Sequence, residues 1–243
     1  MTLRPLALAL LISGAALPAW AQETDPSVDP VAQTPRGSWA FGAGVQSDNR
    51  SKQVSKSDGD ASVWALAEYT SADGAFYFGP AVETVKSNGA EVELSLIGGW
   101  RPQVAGFDLD LAVEHKWLVD ADMTDDAGAW EFTADVIRSI GPVEGRLRLQ
   151  HTPDGIGSTE AWTWYEARAS WDQSPTLSWS AGIGQREQEV GIDYTGWDVG
   201  ATWRLNDRLE LDGRWHDTDA DGVPPTALES YDSRFVISLA SYF

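Results

Sequence analysis

Charged residues in this chain recur at alternate positions, with apolar residues between them. "EVELSLIGGW" carries Glu91 and Glu93, "FDLDLAVEHKW" carries Asp108, Asp110 and Glu114, and "RLRLQ" carries Arg146 and Arg148. On an extended strand such residues share one face, and the intervening apolar ones share the other. The charged face changes sign along the chain. Its first half holds Glu68, Glu83, Glu91, Glu93, Asp108, Asp110, Glu114, Glu131 and Asp135, with Lys116 as the base among them. Its second half holds Arg146, Arg148, Arg168, Arg186, Arg204, Arg208, Arg214 and Arg234, interspersed with Glu144, Glu166, Asp198, Glu210 and Asp212. A face so charged is costly to bury without compensation. It is either hydrated, as the wall of an aqueous passage, or neutralised by a dense ion-pair network. In a passage, an acidic wall facing an arginine wall sets a transverse field that orients dipolar or zwitterionic solutes.

Other chemistry is thinly represented. "HDTDADG" sets Asp217, Asp219 and Asp221 two apart before Gly222, the first half of a calcium loop. The second half fails, because the twelfth loop position is Leu228 and Glu229 follows one late. The alternative is an acidic outer loop, solvated or bridged to lipopolysaccharide by divalent cations; "DADMTDD" at 120–126 is read the same way. A rim hydrolase would draw on His151 with Asp154 and Ser158, or on His216 beside Asp217, but no nucleophile motif surrounds either histidine. The chain has no cysteine, hence no thiolate metal site or disulfide framework. No glycine-rich loop follows a strand and opens a helix, and no cofactor is expected. A net charge of -20 argues against nucleic acid as a partner.

The elements that would position the charged face are strands. Apolar residues alternate in twelve segments of about ten residues, among them Trp39–Val45, Val63–Tyr69, Val92–Trp100, Phe107–Trp117, Trp197–Leu205 and Phe235–Phe243. Short connections at 71–74, 102–106, 141–142, 172–175 and 206–207 alternate with mostly longer polar ones at 47–60, 86–90, 119–128, 152–159, 188–194 and 217–230. Short turns on one side and long loops on the other are the pattern of a transmembrane antiparallel up-and-down β-barrel of about twelve strands. Trp39, Trp100, Trp117, Trp130, Trp171, Trp203 and Trp215 stand near the ends of the apolar faces, where interfacial girdles lie. A soluble β-sandwich would place those tryptophans in its core, but it would not explain the alternating loop lengths. The last strand ends on an outward aromatic, with Phe235, Ile237, Leu239 and Phe243 on one face. Lipid would cover that face.

At the other end, Arg4 precedes an apolar run and the small residues Ala19 and Ala21, the layout of a signal peptide spanning 1–21. The run is about 15 residues, short of the ~20 that span a bilayer. The Pro-rich stretch 22–37 reads as a flexible periplasmic leader, and 38–243 as the barrel.

The ordered series of segments resembles the TorF-type porins, bacterial outer-membrane proteins of poorly defined function. "GAGVQSDNRSKQVSKSDGDASV" is similar to their N-terminal strand and loop, departing at Asn49, Gln53 and Ala61-Ser62. "GAFYFGPAVETV", "EVELSLIGGWRP", "LQHTPD", "WYEARASW", "YTGWDVGAT", "RWHDTD" and "SRFVISLASYF" follow in the family's order, with His151 where a tyrosine is usual. The likeness covers most of 38–243. It implies a barrel exported through the periplasm to the outer membrane, passing small hydrophilic solutes, and it brings no catalytic residues. The terminal Phe235, Ile237, Leu239 and Phe243 look like the assembly signal read by the barrel assembly machinery, and outer-membrane lipid and lipopolysaccharide are the expected surroundings. A closed barrel whose acidic outer loops bind envelope partners or divalent cations is the alternative.

Overall fold

A computed structural model describes residues 37–122, 126–225 and 227–243, with the side chain of Ser158 left aside. The expected signal peptide, nearly all of the leader and residues 123–125 of the acidic stretch lie outside the described residues.

Twelve long strands run antiparallel in chain order: β1 (Ser38–Gln46), β2 (Ser62–Thr70), β3 (Phe76–Ser87), β4 (Ala90–Trp100), β5 (Phe107–Val119), β6 (Gly128–Ile140), β7 (Val143–Thr152), β8 (Trp162–Ser174), β9 (Leu177–Gln188), β10 (Tyr194–Asn206), β11 (Leu209–Thr218) and β12 (Arg234–Tyr242). Each pairs with its chain neighbours. The sheet closes where β1 meets β12, from Gly42 opposite Tyr242 to Gln46 opposite Ser238. Backbone bonds between Phe41 and Phe243, at 2.9 and 3.0 Å, extend that seam. Closure leaves no free edge. Among the described residues no helix is long and apolar enough to cross a membrane. Strands of 9–13 residues have the length that a tilted membrane strand needs.

The alternation works as the sequence implies. Outward residues such as Phe78, Leu111, Leu147, Val199 and Ile237 are exposed and apolar. Of the expected girdle tryptophans, Trp39, Trp100, Trp130, Trp171, Trp203 and Trp215 are exposed. Trp117 is partly covered by His115, whose ring also stacks on Trp130 at 4.5 Å. Trp64, Trp162 and Trp164 point inward and are buried. So continuous an apolar outer surface is unsuited to water and suited to lipid.

The connection at 86–90, expected among the longer ones, shrinks to the two-residue turn Asn88-Gly89. Both residues take positive φ, 50° and 80°, as a tight hairpin turn requires. The other five connections on that side are longer, which makes it the loop end. The opposite side is the turn end.

Candidate functional site

The interior face sets like charges directly opposite one another. Glu83 faces Glu93 across β3 and β4. Glu114 faces Glu131, and Asp110 faces Asp135, across β5 and β6. Arg146 faces Arg168 across β7 and β8. Such pairs repel, and the fold supplies each with an opposite charge.

Near the turn end, Arg101 follows β4 and reaches inward. Its guanidinium lies 3.1 Å from Glu68 and 3.2 Å from Asp110, over the Tyr77 ring at 3.6 Å. Tyr77 donates its hydroxyl to Asp110 at 2.8 Å. Arg148 clasps Asp135 with two bonds of 2.7 and 2.6 Å. Arg146 and Arg168 share the Glu166 carboxylate at 2.6 and 3.2 Å. Arg168 and Arg214 both reach Asp198, Arg168 through bonds of 2.9 and 2.5 Å. Arg204 pairs with Glu210 at 3.4 Å. Glu68, Asp110, Asp135 and Asp198 are at most 1% exposed, so the wall at these levels is dry and paired.

At the loop end, part of the counter-charge comes from the chain between β1 and β2. Residues 47–61 fold down into the mouth. Arg50–Ser51 and Val54–Ser55 form a two-rung hairpin. Its tip is Lys52-Gln53, with positive φ of 51° and 71°. Two adjacent non-glycine residues in that region carry strain, which surrounding contacts must hold. Lys52 lies 3.3 Å from Glu131 and 4.3 Å over the Trp162 ring. The Tyr194 hydroxyl donates to the Lys52 carbonyl at 2.9 Å. Gln53 donates to Asp198 at 2.8 Å and meets His216 Nδ1 at 2.6 Å. Lys56 Nζ bonds to both Glu83 and Glu93, the latter at 2.8 Å. Val54 packs against the buried trio Trp162, Trp164 and Tyr194. Asp48 braces the loop from inside, accepting from Arg50 Nε at 2.7 Å, Ser55 Oγ at 2.5 Å and Ser57 Oγ at 3.0 Å. The loop thus touches β3, β4, β6, β8, β10 and β11, and spans the mouth from the acidic wall to the arginine wall.

The two loop lysines differ electrostatically. Burial pulls Lys52 down to about 7, with Glu131 only partly offsetting it. Burial also opposes charge on Lys56, but Glu83 and Glu93 together hold its pKa above the usual lysine value.

The wall residues read from the sequence are mostly brought together, with two corrections. Arg208 was expected on the basic wall; it sits exposed in the turn Asp207-Arg208, because β10 ends at Asn206 after a register shift at Arg204/Asn206. Glu91 was expected on the acidic wall; it is exposed beside the register shift at Thr84/Ser87 and outside the ion-pair network. Asp108 is half-buried and takes a bond of 2.7 Å from Gln103 at the turn end. Arg186 also lies over the Trp162 ring, at 4.6 Å. Asp217 accepts from the Thr218 N–H at 2.9 Å, Asp219 from the Thr195 N–H at 2.6 Å, and Asp221 lies exposed in a turn. These three are not gathered: among the described residues no group of three or more acidic or histidine side chains could hold a metal. The histidine rings serve other contacts, His151 with Thr163 at 3.0 Å and His216 with Gln53.

Arg101, Lys52, Gln53 and Lys56 were missed as interior residues. Connections are read as solvated by default. The available clue was charge: an acidic face with one strand-borne lysine leaves carboxylates to be matched from elsewhere, and 50–56 carries Arg50, Lys52 and Lys56.

A family matches in sequence, and solved structures match in shape. The profile described as a bacterial protein of unknown function, Gcw_chp, matches residues 32–243. The chain belongs to the Gcw_chp family. No curated protein matches this Gcw_chp chain in sequence. In structure it is similar to the KdgM porin in complex with disordered oligogalacturonate, with a TM-score of 0.58 at 6% identity over 84% of this chain and 98% of that one. The NanC porin gives a TM-score of 0.53 at 5% identity, over 85% and 99%. An outer-membrane channel from Pseudomonas putida F1 gives 0.51 at 12% identity, over 88% and 98%. At such identities the likeness carries the fold alone: the Gcw_chp chain has the closed barrel of the outer-membrane porins.

Proposed function

We propose that this barrel is a channel of the bacterial outer membrane for small hydrophilic solutes or ions, with loop 47–61 as its constriction. The observation that carries the reading is the loop hairpin seated inside the mouth through lysine–carboxylate and glutamine contacts. Such contacts exchange with water and solute more readily than a packed apolar plug does. An apolar outer band around a charged interior is the layout of a solute-conducting barrel. The resemblance to TorF-type porins points the same way.

The route would be export through the periplasm after removal of 1–21, then insertion by the barrel assembly machinery reading the strand that ends at Phe243. Outer-membrane lipid and lipopolysaccharide would surround the band. Carboxylate pairs on one wall and arginines on the other favour cations or zwitterions. The oligogalacturonate of the KdgM complex is an acidic sugar chain. It would meet Glu83, Glu93, Glu114 and Glu131 at the mouth of this barrel, so that solute is not carried over.

One observation favours a second reading. The wall charges below the loop are nearly all dry and paired, which suits a closed barrel with working outer loops. Refolding 22–243 into a planar bilayer separates the two. Stable conductance steps with a cation-positive reversal potential in a salt gradient are expected. A folded, heat-modifiable barrel that passes no current would replace the channel by the closed barrel.

A further inference from the structure

The loop-end carboxylates hold their cations in an unusual way. Glu83 and Glu93 face each other across two strands and receive the Nζ of Lys56 between them. Glu131 receives the Nζ of Lys52, which also sits over the face of Trp162. A carboxylate pair, and a carboxylate beside an aromatic face, are two general ways of holding an ammonium ion. Both are filled here from one short loop, by lysines four residues apart. Between them, Glu114 is buried, with the Nζ of Lys116 at 3.5 Å. Glu131 also takes Lys116 at 3.2 Å and Gln150 at 2.9 Å, so the wall keeps partners of its own when a loop lysine leaves.

We infer that Lys52 and Lys56 act as tethered stand-ins for a solute, and that the mouth binds linear molecules carrying two primary ammonium groups, which enter by displacing the loop. The inference rests on reading loop 47–61 as the constriction of a channel, and it names that site's solute class and its opening step. The chemistry is exchange of one ammonium for another, with no bond made or broken. Lys52 is the weaker resident, because burial already works against its charge. Its site would be vacated first. Lys56, held by two carboxylates, would leave second, so a solute with two ammonium groups has an advantage that a single ammonium lacks. The strained turn at Lys52-Gln53 favours release once the contacts are lost.

The experiment uses the refolded full barrel and 1,4-diaminobutane as probe, with butylamine and magnesium chloride at matched ionic strength as references. Binding is measured by calorimetry, and loop position by the rate at which a membrane-impermeant maleimide modifies Ser55→Cys, a unique thiol because the chain has no cysteine. Ser55 is buried in the docked loop. Diaminobutane should accelerate modification, and the references should not. The double variant Lys52→Met/Lys56→Met removes the internal competitor and should bind diaminobutane about tenfold or more tightly, since a competent state populated at a tenth lowers apparent affinity by that factor. Glu83→Gln/Glu93→Gln should lose binding. Equal effects from butylamine or magnesium, or unchanged affinity in the lysine variant, would overturn the inference. If the lysine variant fails to give a heat-modifiable barrel, the Ser55→Cys rates still decide. Diamine binding with no conductance in any variant would sink the channel and leave the binding site standing. Conductance without diamine binding would do the reverse.

Discussion

Asp198 on β10 is where the arginine wall and the loop meet, and its replacement measures how dry the interior is. Its carboxylate takes two bonds from Arg168, one from Arg214, and one of 2.8 Å from Gln53 at the loop tip. It is 1% exposed. Asp198→Asn keeps the shape and removes the charge. At an effective dielectric near 20, a unit pair about 4 Å apart is worth about 4 kcal/mol. Removing one partner of a buried pair costs about 3–5 kcal/mol, because the other charge is left buried. Arg168 retains Glu166 and Arg214 retains Asp212, at 3.2 and 3.1 Å, so the lower end of that range applies: about 3 kcal/mol. Were the same side chains bathed in channel water, the loss would be about 0–1 kcal/mol. The assay is urea unfolding of the refolded barrel in lipid, followed by tryptophan fluorescence and by heat-modifiable migration. The midpoint should fall with the slope unchanged. Asp60→Asn, which breaks a solvent-exposed pair with Lys86, is the reference and should leave the midpoint in place. A loss under about 1 kcal/mol in Asp198→Asn would refute the dry interior.

The loop should respond to pH through Lys52. Docked, its pKa is about 7; released, it returns to the ordinary value of 10.5. The released state therefore binds more protons between those values, so docking strengthens as pH rises from about 7 toward 10, by at most about 1.4 kcal/mol per unit. The open fraction in bilayer recordings should fall over that window, and Lys52→Met should flatten the response. Glu93→Gln should lower cation selectivity in a salt gradient, whereas Glu91→Gln, outside the network, should leave the reversal potential nearly unchanged. Deleting Phe243 removes two backbone bonds to Phe41 and a stacked ring pair at 6.1 Å. These are worth about 0.5–1.5 kcal/mol each. The heat-modifiable fraction should drop; an unchanged yield in cells would remove the terminal strand from assembly.

The barrel was legible because period two repeats in every strand and the outward residues answer to one solvent. Phe235, Ile237 and Leu239 need no knowledge of their neighbours to face lipid. The sign change of the interior was equally plain, since Glu93, Asp110 and Arg148 fall on the inward parity whatever the register. The pairing was not legible, because it depends on which strands meet. Glu83 comes opposite Glu93 through the tight Asn88-Gly89 turn together with the register shift between Thr84 and Ser87, neither of which strand periodicity sets. The loop was hidden for a different reason. Lys52 and Lys56 stand in a polar stretch that resembles any solvated loop, and only the surplus of carboxylates inside could have drawn them in. Arg208 and Glu91 were misplaced where a local register shift defeats simple alternation.

The way the charges are matched decides which part of this interior can move. Arg148 with Asp135, Arg146 with Glu166, Arg214 with Asp198 and Lys116 with Glu131 join neighbouring strands. Arg168 with Asp198 reaches only one strand further. These pairs lie along the backbone ladder, between residues whose spacing the closed wall fixes. The loop's pairs are of another kind. Lys52, Gln53 and Lys56 reach three separate parts of the wall from one loop; Lys56 bridges β3 and β4 and Gln53 bridges β10 and β11, but those neighbours are already joined by their own backbone ladders. Withdrawing the loop would leave the ladder intact and expose Glu83, Glu93 and Glu131 to the mouth. That asymmetry locates what can open at the mouth: a charged wall fixed by its ladder, and a tethered segment whose lysines a solute can replace.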